Sequence, residues 1–258
     1  MLDLLNHFKT EVNRERVRRG LETVKGIFEL FTSDFNMAAT IEGFGKIAGR
    51  NLPLIDYWGP FIQKRQIEAA EPEWMKKLNS YQKTVYISTG GSRRAKEILP
   101  VCLRALEELP EVQGVVSAGT YPLPSDLAAL PDRIIVKPFV PGMQMTAKAD
   151  VVITHGGHST LMELLYLGVP GLILPFQPEQ SLNGRKFEAA NAGLVIPSEE
   201  LESEKLKQYL MELLYNEKYK SGIAKLGRTL DGYPGVAKAA AEIVKLFGAP
   251  YEEGLKEG

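Results

Sequence analysis

Cysteine is almost missing from the chain: Cys102 is the single one among 258 residues. No intrachain disulfide can form, a usage that fits a reducing, cytoplasmic setting, and a cysteine-rich metal site is excluded. Long apolar runs are missing too. No stretch reaches the about 18 to 20 consecutive apolar residues that a membrane-spanning helix needs. The stretch MLDLLNHFKTEVNRERVRRG does not read as a signal peptide, because Asp3, His7, Lys9 and Glu11 interrupt it and no small-residue cleavage site follows. Leu4, Leu5, Phe8 and Val12 share one face of a predicted helix. That face packs on a core, on a further domain or, as a peripheral contact, on a membrane surface. No charge sign dominates, with 31 Lys and Arg against 32 Asp and Glu. A broad basic footprint for nucleic acid is therefore excluded, whereas a local anion site made of a few backbone N–H groups is not.

What is present is a globular composition. Apolar residues make up 44%, enough for a sizeable core, and the length suits one large or two modest domains of roughly 50–250 residues. Residues 2–32 read as two helical patterns broken near Gly20, and residues 33–60 as irregular with a short strand. Glu71 to Ser80 reads as a short helix introduced by Pro72. From residue 83 the order becomes regular. Strands are predicted at Thr84–Ser88, Gln113–Ser117, Arg133–Val136, Val151–Thr154, Gly171–Leu174 and Leu194–Ile196. Helices are predicted at Ala95–Leu109, Met143–Ala149, Thr160–Leu167, Leu182–Asn191, Leu201–Tyr215 and Val236–Phe247. Alternation of this kind predicts an α/β fold with a Rossmann-like parallel sheet. Ligands of such sheets bind at the C-terminal strand ends, and the motifs fall there.

The strongest motif is VVITHGGHSTLMELLYLGVPGLILP. His155, Gly156 and Gly157 form a strand-to-helix loop, and Ser159 and Thr160 open the helix. First-turn N–H groups and the helix dipole make a phosphate site, which the glycines let an anion approach. His155, Ser159 and Thr160 add side-chain donors. Glu163 has two readings: a capping box with Thr160, Ser159 being the alternative cap, or a carboxylate that accepts from two ribose hydroxyls. His158 reads as a solvated loop residue, a second phosphate contact or part of an acceptor channel. With no cysteine and no third ligand beside the two histidines, no metal is expected.

Three further loops belong to the same sheet edge. In PFQPEQ, Pro175 to Gln180, Glu179 and Gln180 either bond sugar hydroxyls or form a solvated helix start, with Asn183 one turn on reinforcing the site or holding the loop. STGGS, Ser88 to Ser92, is not a Walker A loop, since no GK[ST] follows, nor is it a dinucleotide fingerprint. The N–H groups of Gly91 and Ser92 are expected to face the same anion, and Arg93 and Arg94 either neutralise phosphate or form a solvated face. In KPFVPG, Phe139 and Val140 offer either an apolar wall beside a base or a cluster that closes the core.

Residues 83–245 resemble the C-terminal domain of GT-B fold glycosyltransferases, on HGGHSTLMELLYLGVP followed by LPFQPEQSLNG. The resemblance is nearest to family 1, which holds the UDP-glucuronosyltransferases and UDP-glycosyltransferases. The bacterial enzyme that adds N-acetylglucosamine to lipid-linked peptidoglycan precursors is a more distant neighbour. The resemblance implies a nucleotide-diphosphate sugar as substrate, with UDP as the carrier, a hydroxyl acceptor of unknown identity, hexosyl transfer, and neither metal nor cofactor. It implies that His155, Gly156, Gly157, Ser159, Thr160, Gly91 and Ser92 bind the diphosphate. It further implies that Glu163 binds the ribose, that Glu179 and Gln180 bind the sugar, and that Phe139 and Val140 flank the base. Helix-end N–H groups would stabilise the departing diphosphate.

Two positions depart from that pattern: Glu179 stands where Asp is frequent, and Gly142 where Gln is frequent. Length departs as well. The implied organisation is a helical remnant of the acceptor-side domain at 1–60, a linker at 61–82, the donor domain at 83–248 and a flexible tail at 249–258. No catalytic base is assigned in the chain; the residue that activates the acceptor is expected from outside it, and the exposed cleft face is expected to favour a partner chain that supplies the acceptor domain, or self-association. The competing readings are a nucleotide-sugar-binding fragment without turnover and a sugar-nucleotide epimerase. The epimerase is disfavoured because Glu179 is the only carboxylate expected at the sugar.

Overall fold

Short runs of Val, Ile and Tyr separated by amphipathic helices build the architecture. The computed structural model describes residues 2–26, 36–45, 56–62, 64–80, 83–88, 95–119 and 130–248. Two compact units divide between Trp58 and Gly59. The first holds α1 (Leu2–Arg18), β1 (Met37–Ala38), α2 (Glu42–Gly45) and β2 (Asp56–Tyr57). α1 ends before Gly20, where the sequence pattern breaks. The Asn13 side chain then fastens the returning chain, donating to the Val24 carbonyl at 2.9 Å and accepting from its N–H at 2.8 Å. β1 and β2 pair in parallel.

The second unit opens with α3 (Arg65–Glu68) and a 3-10 helix at Glu73–Ser80, whose Met75 and Leu78 are buried. There follow β3 (Lys83–Ser88), α4 (Ala95–Glu107), β4 (Val112–Ser117), β5 (Ile134–Lys137), α5 (Gly142–Lys148) and β6 (Val151–Thr154). The chain continues through α6 (His158–Leu167), β7 (Gly171–Ile173), α7 (Pro178–Ala189) and β8 (Gly193–Val195). It closes with α8 (Ser203–Tyr215), α9 (Glu217–Gly227) and α10 (Gly235–Phe247).

β3 to β8 form one parallel sheet in the order β5-β4-β3-β6-β7-β8. This is the doubly wound order whose direction of strand addition reverses between β3 and β6, and such a reversal opens a crevice at the C-terminal strand ends. Val85, Ile87, Val112, Val116, Val151, Ile153 and Leu172 face leucines of α4 and α8 in the main core. Each fully buried aliphatic side chain there contributes about 1.5–3 kcal/mol. The alternate residues, among them Tyr86 and Ile173, point to the opposite face, where α5 packs on β3 and Leu164 of α6 lies against Gly171 of β7.

Polar ties fix the register. The Asp150 carboxylate accepts from the Thr84 N–H at 2.9 Å and from Lys83 Nζ at 3.0 Å, which pins the start of β6 to β3. The buried Arg133 guanidinium donates to the Leu106 and Glu107 carbonyls at 2.9 and 2.8 Å. That cation satisfies the C-terminal end of α4, where the dipole favours it.

Two helix starts differ from the sequence reading. α6 begins at His158 with Gly157 as its N-cap, and no side chain caps it. Ser159 and Thr160 are already helical, so neither hydroxyl has the extended backbone that a capping side chain requires. The Thr160–Glu163 capping box is therefore not formed. α7 begins at Pro178 rather than Leu182, because Pro178 sits at N1, where its fixed φ suits a helix start. Glu179 and Gln180 thus stand on the first turn of a helix and not in a loop. Among the described residues no helix is long and apolar enough to cross a membrane.

Candidate functional site

β6 delivers the chain to the sheet edge at Thr154, and the loop that follows is shaped by its two glycines. Gly156 has φ +83°, a left-handed conformation that disfavours a side chain. A Cβ there would stand 2.7 Å from Ile173 Cγ2 and 3.3 Å from the Gln180 carbonyl. A Cβ on Gly157 would stand 2.6 Å from His155 Nε2. The first glycine thus lets the loop settle against β7 and α7, and the second leaves room for the imidazole. The Gly156 N–H donates to Thr154 Oγ1 at 3.4 Å.

Beyond this loop lies the N-terminus of α6. Its first N–H groups have no intrahelical acceptor, and no side chain caps them. His155 is half-buried, and its Nδ1 atom is buried without a hydrogen-bond partner. Burial holds the imidazole pKa below the ordinary 6.5, an effect that the Glu179 carboxylate partly offsets. His158 is shifted the same way by burial, with Glu179 opposing and Lys186 reinforcing the shift. Glu163 is half-buried on α6, and burial raises its carboxyl pKa. A neutral imidazole with an unused nitrogen, bare helix-end N–H groups and a half-buried carboxylate can together receive a phosphate and a vicinal diol.

α7 supplies the other wall. The Asn183 side chain donates to the Glu179 carboxylate and, at 3.3 Å, to the Gly156 carbonyl. Of the two functions foreseen for Asn183, holding the loop is the one observed. Gln180 is buried, and its Oε1 accepts from the Phe176 N–H at 2.8 Å. Its acceptor oxygen is therefore spent on the turn before α7, whereas Glu179 is exposed. The base-flanking pair is split as well: Val140 is buried in the core and Phe139 is 77% exposed. Ser159 and Thr160 lie on the first turn of α6 beside the loop. Gly91, Ser92, Arg93 and Arg94 lie outside the described residues.

Two features escaped the sequence reading. Lys186 extends the α7 face that carries Glu179 and Asn183, and its charge is felt at His158. Asn183 and Lys186 follow Glu179 by four and seven residues, which puts all three on one helix face and is the signal that would have found it. The second is a polar row across the strand ends. Thr154, Ser88, Ser117 and Lys137 are consecutive register partners on β6, β3, β4 and β5. Single strands do not reveal such a row, because it exists only once the strand order is known. Among the described residues no group of three or more His, Cys, Asp or Glu is placed to hold a metal ion.

Comparison with known proteins agrees with the architecture. The glycotransferase of kitacinnamycin superposes with a TM-score of 0.79 at 18% identity, covering 93% of this chain and 62% of that one. The likeness is one of fold: the sheet and its helices form one half of a GT-B-like α/β architecture. In sequence, the chain is 27% identical over 225 residues to the uncharacterized UDP-glucosyltransferase YojK of Bacillus subtilis strain 168, covering 86% of this chain and 55% of the relative. It is 30% identical over 183 residues to a PGL/p-HBAD biosynthesis rhamnosyltransferase of Mycobacterium bovis, covering 69% of this chain and 39% of the relative. The chain spans about half the length of the curated relatives it matches.

The family assignment read from the motifs is corrected by these matches. The profile that fits is not family 1 but the glycosyltransferase family 28 C-terminal domain, over residues 84–228. The physical reason is that HGGHST and PFQPEQ are weighed by the hydrogen bonds they could offer a ligand, and a reading by contact chemistry does not separate families that share a fold and similar loops. With more than half of its length matched, the chain belongs to the family of the glycosyltransferase family 28 C-terminal domain.

Proposed function

We propose that the second unit binds a nucleotide-diphosphate sugar and serves as the donor half of a glycosyltransferase, passing a hexosyl group to a hydroxyl acceptor. The observation that carries this reading is the uncapped N-terminus of α6 behind His155, Gly156 and Gly157, with the unpartnered Nδ1 of His155 beside it. A diphosphate would accept from the helix-end N–H groups and from the imidazole. Glu163, five residues beyond the histidine that opens the α6 N-terminus, would accept from the ribose hydroxyls. Glu179 would contact the sugar, with Asn183 orienting its carboxylate.

In this reading catalysis is electrostatic. Charge builds on the departing diphosphate as the glycosidic bond breaks, and the helix-end N–H groups meet that charge without reorganising. The names of relatives that act with UDP-glucose or transfer rhamnose support the donor class. UDP is the carrier we favour. The acceptor is a hydroxyl compound, presented by a partner chain or an acceptor domain that also brings the base.

The test is calorimetric titration with UDP-, TDP-, GDP- and ADP-sugars. At least one is expected to bind, and His155→Ala and Glu163→Ala are each expected to weaken it by about tenfold or more. Absence of binding by all four would sink the donor reading.

A further inference from the structure

α7 has a second working face. Ser181, Arg185 and Glu188 follow one another by four and three residues, which sets them on the side of the helix opposite Glu179, Asn183 and Lys186. There they line a pocket of about 470 Å³, within the range of roughly 300–1,000 Å³ that small-molecule sites occupy. Val195 at the end of β8 and Pro197 beyond it form the facing wall, and Phe176 of the turn before α7 adds an aromatic ring. β8 is the edge strand, so the pocket lies on the outer flank of the sheet, and none of His155, Glu163 and Glu179 lines it.

The charges in this pocket are held apart. Arg185 and Glu188 stand three residues apart on one helix, a spacing at which opposite charges can meet. Instead, Arg185 turns its Nε to the Ser181 carbonyl at 3.4 Å, and Glu188 Oε1 accepts from the Val195 N–H at 3.4 Å. Across the pocket Glu199 accepts from the Ser198 hydroxyl at 3.4 Å. Among the described residues no carboxylate pairs with Arg185, so the outer nitrogens of its guanidinium are left to donate as a fork, and each glutamate keeps acceptor capacity. A plain anion placed here would meet two carboxylates, and a plain cation would meet the guanidinium. We infer that the pocket is a second ligand site, built for a small apolar zwitterion of the amino-acid class. The ligand carboxylate takes the Arg185 fork, its ammonium lies between Glu188 and Glu199, and its apolar body rests on Phe176 and Val195. The inference stands independently of the donor reading, because the two sites use opposite faces of α7.

The experiment is an NMR titration of the full chain with L-phenylalanine, with phenylpropionate, which lacks the ammonium, and with phenethylamine, which lacks the carboxylate. Phenylalanine is expected to bind, and each analogue to bind about tenfold more weakly. Arg185→Met removes the charge from an exposed side chain and keeps an apolar stem. It is expected to cost phenylalanine and phenylpropionate about tenfold and to leave phenethylamine unchanged. The double variant Glu188→Gln, Glu199→Gln retains an acceptor for the Val195 N–H and is expected to do the reverse, weakening phenylalanine and phenethylamine alone. His155→Ala is expected to leave all three titrations as they are. No binding of phenylalanine, equal binding of the three compounds, or variants that fail to distinguish them overturns the inference. So does a loss in His155→Ala, which would put the probe at the phosphate loop. None of these results bears on whether a nucleotide sugar binds at the other face.

Discussion

The Asn183 side-chain amide donates to the Gly156 carbonyl at 3.3 Å, and so ties the first turns of α7 to the loop between β6 and α6. The same amide holds the Glu179 carboxylate. One buried side chain thereby sets the spacing between the two walls of the candidate site, the β6–α6 loop and the first turns of α7. Asn183→Ala leaves a buried carbonyl unsatisfied, and its expected cost is about 1–2 kcal/mol of stability. Donor affinity is expected to fall further than that loss of stability explains, because both walls are released. Asn183→Asp sets a second carboxylate against Glu179 and is expected to be worse than alanine for donor binding. Thermal melting and donor titration of both variants check this, and equal affinities for wild type and Asn183→Ala would contradict it.

The two loop glycines separate folding from binding. Gly156→Ala places a Cβ 2.7 Å from Ile173 in a left-handed backbone, and the expected destabilisation is about 2–4 kcal/mol. Gly157→Ala meets only the His155 ring, at 2.6 Å from Nε2, on an ordinary extended backbone at φ −61°. The ring can swing away, so stability is expected to change by less than about 1 kcal/mol, while the diphosphate loses its imidazole contact. A melt of each variant with a titration of the same sample separates the two effects. A Gly157→Ala protein that binds donor as the wild type does would show that the orientation of His155 is irrelevant.

The sheet was readable in the sequence because most of its strands are short apolar runs between turn residues, as at Val151–Thr154, where the predicted and observed bounds coincide. The helix starts were less readable. Thr160 and Glu163 have the spacing of a capping box, yet Gly157 takes the cap because the sheet edge holds the loop close and starts the helix earlier. Pro178 has the character of an N1 proline, but the sequence reading begins that helix at Leu182 and leaves Glu179 and Gln180 open between sugar contacts and a solvated helix start. Gln180 illustrates what a sequence hides: its polarity suggested a sugar contact, and its oxygen is engaged with the Phe176 N–H. The polar row of Thr154, Ser88, Ser117 and Lys137 was invisible because it depends on which strands lie side by side, a non-local pairing that no window of sequence contains.

Glu163 is expected to weaken the empty protein. Burial raises its carboxyl pKa in the folded state, so the folded protein holds that proton more tightly than the unfolded chain does. The associated stability is full below the unfolded carboxyl value and is lost as pH rises through the raised folded value. At neutral pH the ionised carboxylate is therefore a net cost. Glu163→Gln is expected to stabilise the unliganded protein by about 0.5 kcal/mol, the small figure reflecting water that still screens a half-exposed group. The same change is expected to weaken nucleoside diphosphate binding, since an amide accepts from a diol less strongly than a carboxylate. A variant that melts higher and binds more weakly fits a carboxylate kept for a ligand. Lower melting with unchanged binding would assign Glu163 to the fold instead.

The two histidines make donor binding depend on pH with a definite sign. Burial lowers the pKa of His155 and His158 in the folded protein, against the partial opposition of Glu179. The unfolded chain then binds protons first as pH falls. The stability of the unliganded protein is expected to drop as pH falls through the ordinary 6.5 toward the lower folded values. A diphosphate reverses the local balance, because its negative charge favours the imidazolium. Binding should therefore take up a fraction of a proton near neutral pH, and affinity should rise as the buffer is made more acidic. His155 is the histidine with a buried, unpartnered Nδ1 at the loop, so it is expected to dominate the uptake, while Lys186 adds to the lowering at His158. Calorimetry of UDP binding in two buffers of different ionisation enthalpy measures the uptake directly. His155→Gln should abolish most of it, and His158→Gln should leave most of it in place. Proton release on binding, or uptake untouched by His155→Gln, would remove His155 from the phosphate site.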